Sequence, residues 1–229
     1  MEMDPNYATA HHWYSLLLME SGRYEEGLAE IRRAQELDPV SLIIGYNLAL
    51  NCLVTGDLNA AIDQSKRIIE LDPSFPRAHQ ALAYALLKQN RHDEALAEFK
   101  KAADLSPNDR QSLRDLGYAY GMAQKRDDAL AVLKELKANF ETNEAYPQDI
   151  AAVYVGLGDK DQAFAWLERS YERRTGRLGR IGYHLPFESL RDDPRYTDLR
   201  RRMGMPKRAD VLRLNRLSWR RAKPQKPDT

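Results

Sequence analysis

Along residues 8 to 177 the large apolar side chains return at fixed places, in two alternating groups that each have the three-and-four spacing of a buried helical face. On the first helix of each group stand Tyr14, Leu48, Leu82, Leu116 and Ile150, followed one turn later by Leu18, Cys52, Leu86, Tyr120 and Tyr154. On the second stand Ile31, Phe99, Leu133 and Leu167. Small residues recur in the same register: Ser15, Ala49, Ala83, Gly117 and Ala151, then Gly27, Ala61, Ala95, Ala129 and Ala163. Small side chains at matched places let antiparallel helices approach closely, so the pattern predicts a stack of helical hairpins.

The polar punctuation has the same period. ELDP occurs at Glu36–Pro39 and again at Glu70–Pro73, and Pro5, Pro39, Pro73 and Pro107 are spaced 34 residues apart. Proline lacks an N–H and disfavours helix at the residue before it, so each Asp-Pro closes a helix. Between the helices stand Gly22-Arg23, Gly56-Asp57, Asn90-Arg91, Gln124-Lys125 and Gly158-Asp159. Glycine or asparagine supplies the left-handed residue that a helix C-terminus takes. Gln124 departs from this, and the fourth turn is expected to be strained or differently built.

A period of this length is the signature of a stacked helical array. Stretches such as HQALAYALLKQNRHDEALAEFKKAADLSP resemble tetratricopeptide repeats. The resemblance implies an all-α, right-handed superhelical solenoid of helix-turn-helix units, at 8–41, 42–75, 76–109, 110–143 and 144–177. Glu141 and Thr175 stand where the last two units would carry their closing proline. MEMDP has the register of a helix end, so residues 1–7 read as the tail of a truncated preceding repeat and the chain as a C-terminal piece of a longer array. Residues 178–206 break the period and are expected to cap the array, with a short helix begun at Asp193. With WLERSYERR before it, FESLRDDPRYTDLRRRMGMP is similar to the ending of repeat arrays in bacterial winged-helix regulators, adenylate cyclases and serine/threonine kinases. That likeness implies a bacterial signalling or transcriptional regulator as the parent.

Composition narrows the classes. The 229 residues are 43% hydrophobic and 30% charged, an ordinary globular balance, with neither a signal peptide nor an apolar run of spanning length. A cytoplasmic protein is expected, or a periplasmic one if the parent is membrane-anchored. The single cysteine, Cys52, excludes an internal disulfide and reads as core. The net charge of +1 hides an asymmetry, since residues 169–229 carry a net +11 and the rest −10. Residues 207–229 hold eight basic and two acidic residues and read as a disordered basic tail.

Catalysis has little to stand on. Adjacent His11 and His12 are turned about 100° apart on a helix and cannot easily share a metal. His79, His92 and His184 have no paired ligand nearby in sequence, and TGRLGRIG (175–182) lacks the Gly-Lys-Ser/Thr ending of a P-loop. Neither enzyme activity, cofactor nor metal is assigned.

The resemblance places the inner face of the array on the first helix of each unit. Here that face carries His12, Trp13 and Leu16, then Tyr46, Asn47 and Leu50, then Arg77, Gln80 and Tyr84, then Arg114, Asp115 and Tyr118, then Gln148 and Asp149. Aromatics with Arg are the residues of peptide hot spots, so the chain is expected to be a non-catalytic scaffold holding a protein or peptide partner in a concave groove. The carboxylate clamp of some repeat domains is incomplete, with His12, Leu16 and Ala81 at clamp positions. The alternative is binding of nucleic acid or an anionic surface by the basic C-terminal region. Self-association through the N-terminal edge is a further expectation.

Overall fold

The computed structural model describes residues 6–107, 109–142, 145–174 and 185–205. Ten helices form successive antiparallel hairpins: α1 (Ala8–Glu20) with α2 (Tyr24–Leu37), α3 (Leu42–Thr55) with α4 (Leu58–Leu71), α5 (Pro76–Lys88) with α6 (His92–Leu105), α7 (Arg110–Met122) with α8 (Arg126–Glu141), and α9 (Pro147–Gly156) with α10 (Lys160–Glu172). A 3-10 helix (Leu185–Leu190) and α11 (Pro194–Arg202) follow. The result is a solenoid of helix-turn-helix repeats closed by a capping segment, with no strand among the described residues. Expectations about residues 1–5 and the basic tail from 207 onward fall outside the described residues.

Each hairpin turns in the same way. Gly22, Gly56, Asn90, Gln124 and Gly158 all have φ between 59° and 91°. In every turn the next residue's N–H reaches back to the helix before it, as in Arg23 to Leu18 and Lys125 to Tyr120, at 2.8 to 3.0 Å. Gln124 therefore does not build a different turn. It takes the left-handed conformation that glycine takes elsewhere, at a cost of roughly 1–2 kcal/mol for a residue with a Cβ. Asp57, Asp109, Asp159 and Asp193 then cap helix N-termini with their side chains, while Pro76, Pro147 and Pro194 occupy first-turn positions.

The small residues lie where the helices touch: all ten in the two recurring sets are buried. Among the large seam residues Leu18, Ile31, Cys52, Phe99, Ile150 and Leu167 are almost wholly buried. Tyr14, Leu48, Leu116, Tyr120 and Tyr154 are only partly so. The apolar side chains form two clusters, one from α2 to Ala119 and one from Ala129 to Leu199.

The boundary between the clusters is the irregular part of the stack. Without a closing proline α8 runs on to Glu141, longer than the helices before it, and α9 starts late at Pro147. There α7 and α9 come together backbone to backbone. A Cβ on Gly121 would lie 2.4 Å from the Gly156 carbonyl carbon, and one on Gly156 would lie 2.5 Å from the Tyr118 carbonyl oxygen. Only glycine at both places permits that approach.

The cap is apolar below and ionic at its rim. Tyr196 and Leu199 of α11, with Phe187 and Leu190 of the 3-10 helix, join the second cluster. Around them Arg195 pairs with Asp161 at 2.7 Å and Arg202 pairs with Glu168. A terminal repeat with its apolar face covered in this way is what a solenoid end requires.

Candidate functional site

The first helices α1, α3, α5 and α7 line a cavity of about 130 Å³ on one face of the stack. Leu16 and Met19 come from α1, Tyr46, Asn47, Leu50, Asn51 and Val54 from α3, and Gln80 and Tyr84 from α5. Gln111, Arg114 and Asp115 of α7 complete the wall, and Leu185 of the 3-10 helix closes one side. Eight of the sequence-derived groove residues thus meet at one cavity: Leu16, Tyr46, Asn47, Leu50, Gln80, Tyr84, Arg114 and Asp115.

Most of the polar members face one another. His12 Nε2 lies 2.9 Å from Asn47 Nδ2, which puts the acceptor on Nε2. Gln80 donates to Ser112 Oγ at 3.1 Å, and the Tyr84 hydroxyl donates to Asp115 Oδ1 at 2.6 Å. Arg114 holds Asp115 at 2.6 Å and reaches Asp149 at 3.5 Å, and Arg110 pairs with Asp149 at 3.0 Å. Gln148 accepts from Ser170 Oγ at 2.8 Å. Most of these bonds run from one unit to the next or from a unit's first helix to its second, so they fix the stacking register of the repeats.

Burial sets the protonation of this network. Burial pushes the Asp115 carboxyl up, against the pull of the Arg114 guanidinium. Arg114 is held above its ordinary value because, although burial opposes its charge, Asp115, Tyr84 and Asp149 outweigh that. Tyr84 is pushed well up by burial and by Asp115. Tyr118 is pushed up to about 12 by burial, with Glu188 and Asp115 adding to it. His12 is lowered by burial, which agrees with a neutral ring accepting from Asn47.

The remaining candidates are arranged differently. Trp13 is 65% exposed and stacks on His12, and Leu17, one turn along, is 59% exposed. Arg77 is exposed and lies over the Tyr46 ring at 5.6 Å. Tyr118 is half-buried beside Tyr84, and Asp149 is held at the start of α9, where it accepts from the Tyr146 N–H at 3.2 Å.

Five lining residues were not singled out from the sequence: Met19, Asn51, Val54, Gln111 and Leu185. Asn51 lies one helical turn beyond Asn47, donates to the Asn47 carbonyl at 2.8 Å, and has a buried Oδ1 with no hydrogen-bond partner. A lone polar residue in the apolar run LALNCLV was the available signal. Leu185 carried none, since it arrives from outside the period.

Comparison with known proteins agrees with this architecture. The tetratricopeptide repeat profile matches residues 8–41, 46–110 and 81–150. Among curated protein sequences none matches significantly. The chain is similar in structure to TTC0263, a tetratricopeptide-repeat protein of Thermus thermophilus, with a TM-score of 0.62 and 23% identity over 90% of this chain and 99% of that one. Weaker likenesses are to MamA, with a TM-score of 0.48 and 19% identity over 74% of this chain and 93% of that one, and to the first repeat domain of Spaghetti (RPAP3) bound to the HSP90 peptide SRMEEVD, with a TM-score of 0.46 and 18% identity over 57% and 98%. Among the described residues no helix is long and apolar enough to cross a membrane. With the repeat profile spanning more than half of its length, and the same hairpin stack in its structure, the chain belongs to the tetratricopeptide-repeat family.

Proposed function

We propose that the protein is a non-catalytic scaffold that seats a peptide segment of a partner in the cavity between α1, α3, α5 and α7. The observation that carries this reading is Asn51. Its Oδ1 is buried in the wall of an otherwise largely apolar cavity without a donor. An unmet buried acceptor costs about 1–3 kcal/mol, and a turn of the Asn51 side chain that brings Oδ1 to the cavity surface would let the backbone N–H of an incoming peptide meet it. Beside it Tyr46 and Leu50 offer apolar contact, and the exposed Arg77 lies over the Tyr46 ring. Membership of a bacterial signalling or transcriptional regulator rests on the likeness of the terminal segment.

A random-peptide display library tests the reading. Selected peptides should bind the whole protein and lose at least tenfold in affinity to the Tyr46→Ala/Arg77→Ala and Asn51→Leu variants. Deleting residues 207–229 should leave that binding unchanged. Peptides that bind these variants as well as the parent would sink the groove reading. If the basic tail is the working surface instead, binding to DNA or anionic vesicles should fall steeply with salt and vanish on its deletion.

Self-association through α1 belongs to the same reading, favoured by the exposed Tyr7, Trp13 and Leu17. A sedimentation coefficient that rises with concentration, and stays flat in Trp13→Glu/Leu17→Lys, is the expected result. A flat profile in the parent would remove it.

A further inference from the structure

The 3-10 helix Leu185–Leu190 does two things at once. Phe187 and Leu190 are buried in the second apolar cluster under the cap, whereas Leu185, only two residues before Phe187, packs against the first cluster and forms a wall of the cavity. Glu188 then reaches back to α5, where its Oε2 lies 2.8 Å from Lys88 Nζ. Lys88 also donates to the Leu53 carbonyl at the end of α3, at 3.1 Å. In a solenoid each unit contacts chiefly its neighbours, so an ion pair from the third hairpin to a segment beyond the fifth is not a stacking contact. It is a strap across the face that holds the cavity, with an aliphatic side chain at the cavity and a carboxylate on its rim.

We propose that this strap is a built-in ligand of the groove, and that the partner is a peptide of the same chemistry: a large aliphatic side chain with a carboxylate three residues further on, which displaces Leu185 from the cavity and Glu188 from Lys88. This rests on the groove reading and goes further by naming what the groove takes and what it must give up. The anchor and the latch are separable. Phe187 and Leu190 keep the segment on the cap, so Leu185 and Glu188 can withdraw while the fold stays closed. The latch is weak enough to be exchanged, because both of its partners are partly exposed, Lys88 at 24% and Glu188 at 37% of the side chain. Its carboxylate also accepts from Arg191 at 3.1 Å, which offers Glu188 an alternative partner when Lys88 is taken. The cation, and every lining residue of the cavity except Leu185, belong to the repeats and not to the strap, so they are retained for an incoming ligand.

The test uses the full chain and a fluorescent peptide, acetyl-LPFESLRD-amide, which reproduces residues 185–192. In the Leu185→Ala/Glu188→Gln protein the strap's two groove contacts are gone, and the peptide should bind at least tenfold more tightly than to the parent. Adding Lys88→Glu should abolish that gain, and a peptide with lysine in place of its glutamate should recover it. Thermal melting confirms that each variant folds, and Glu188→Gln alone serves if the double variant does not. Equal affinity for parent and loosened protein, no binding to either, or indifference to the charge at Lys88 would each overturn the proposal. The two readings fail separately. If display peptides depend on Tyr46, Arg77 and Asn51 but lack the aliphatic-and-acid pattern and ignore the strap substitutions, the groove reading stands and the strap proposal falls.

Discussion

His79 of α5 has both ring nitrogens in front of acceptors: Nδ1 lies 2.6 Å from Glu98 Oε2 on α6, and Nε2 lies 3.1 Å from the Pro73 carbonyl. The ring thus ties α5 both to α6 and to the turn before it, and the histidine side chain that clamps the third hairpin is only 6% exposed. The first hairpin repeats the device with His11 and Glu30 at 2.6 Å, nearer to water. In the second, glycine stands in the corresponding place as Gly45, and Gln64 bonds Gln35 instead.

This clamp makes stability depend on acid. Burial raises the Glu98 carboxyl, but the hydrogen bonds from His79 and from Lys101, at 2.8 Å, outweigh it and hold the group below its ordinary value. A depressed carboxylate contributes stability that is fully present above its unfolded pKa, about 4.3, and is lost as pH falls through the lower folded value. Chemical denaturation at pH 7 and at stepwise lower pH should show that loss. Glu98→Gln should cost about 1.5–3 kcal/mol at pH 7 and flatten the acid slope. A slope unchanged in that variant would mean other carboxylates carry it.

Arg114 is the hub of the polar ladder. Replacing it by alanine leaves Asp115 buried without its cation and weakens the tie to Asp149, a loss of about 3–5 kcal/mol for breaking a buried pair. A double-mutant cycle with Asp149→Asn should show coupling between the fourth and fifth units. Additive losses would mean that the 3.5 Å contact carries no energy.

The close approach of α7 and α9 predicts a steep response to one methyl group. Gly121→Ala or Gly156→Ala must push backbone against backbone, and roughly 1–3 kcal/mol or more should be lost in thermal melts. Gly117→Ala meets methyls of the buried Val132 and Val153 at 2.7 and 2.8 Å, and because valine is stiff at χ1 in a helix a loss of roughly 1–3 kcal/mol is expected there too.

Gln124 offers a gain. Gln124→Gly removes a Cβ from a left-handed residue at φ 59°, and the protein should become more stable by up to about 1 kcal/mol. Gly56→Ala, at φ 91° with open space around it, should do the reverse through backbone strain alone. Equal and opposite shifts in melting temperature would show the two turns to be equivalent.

How much of this was legible varies with the range of the interaction. The hairpins, their turns and their buried small residues follow from spacing within about one repeat, where helix periodicity and the left-handed turn leave few alternatives. The inner face was legible as a row of positions, and Tyr46, Leu50 and Gln80 do line the cavity. Its chemistry was not, because Tyr84, Arg114 and Asp115 look free along the chain and are each other's partners across it.

The amino-acid sequence by itself determined the repeat: its 34-residue period, its all-helical hairpins and its membership of the tetratricopeptide-repeat family, since each of these is written in local pattern. Only the tertiary structure decided which polar residues hold the units together, where Gly121 meets Gly156, and that Leu185 lines the cavity while Glu188 pairs with Lys88. The physical reason is that helix and turn preferences act between near neighbours in the chain. Hydrogen bonds, ion pairs and close packing between units depend on the angle and register at which those helices finally stack.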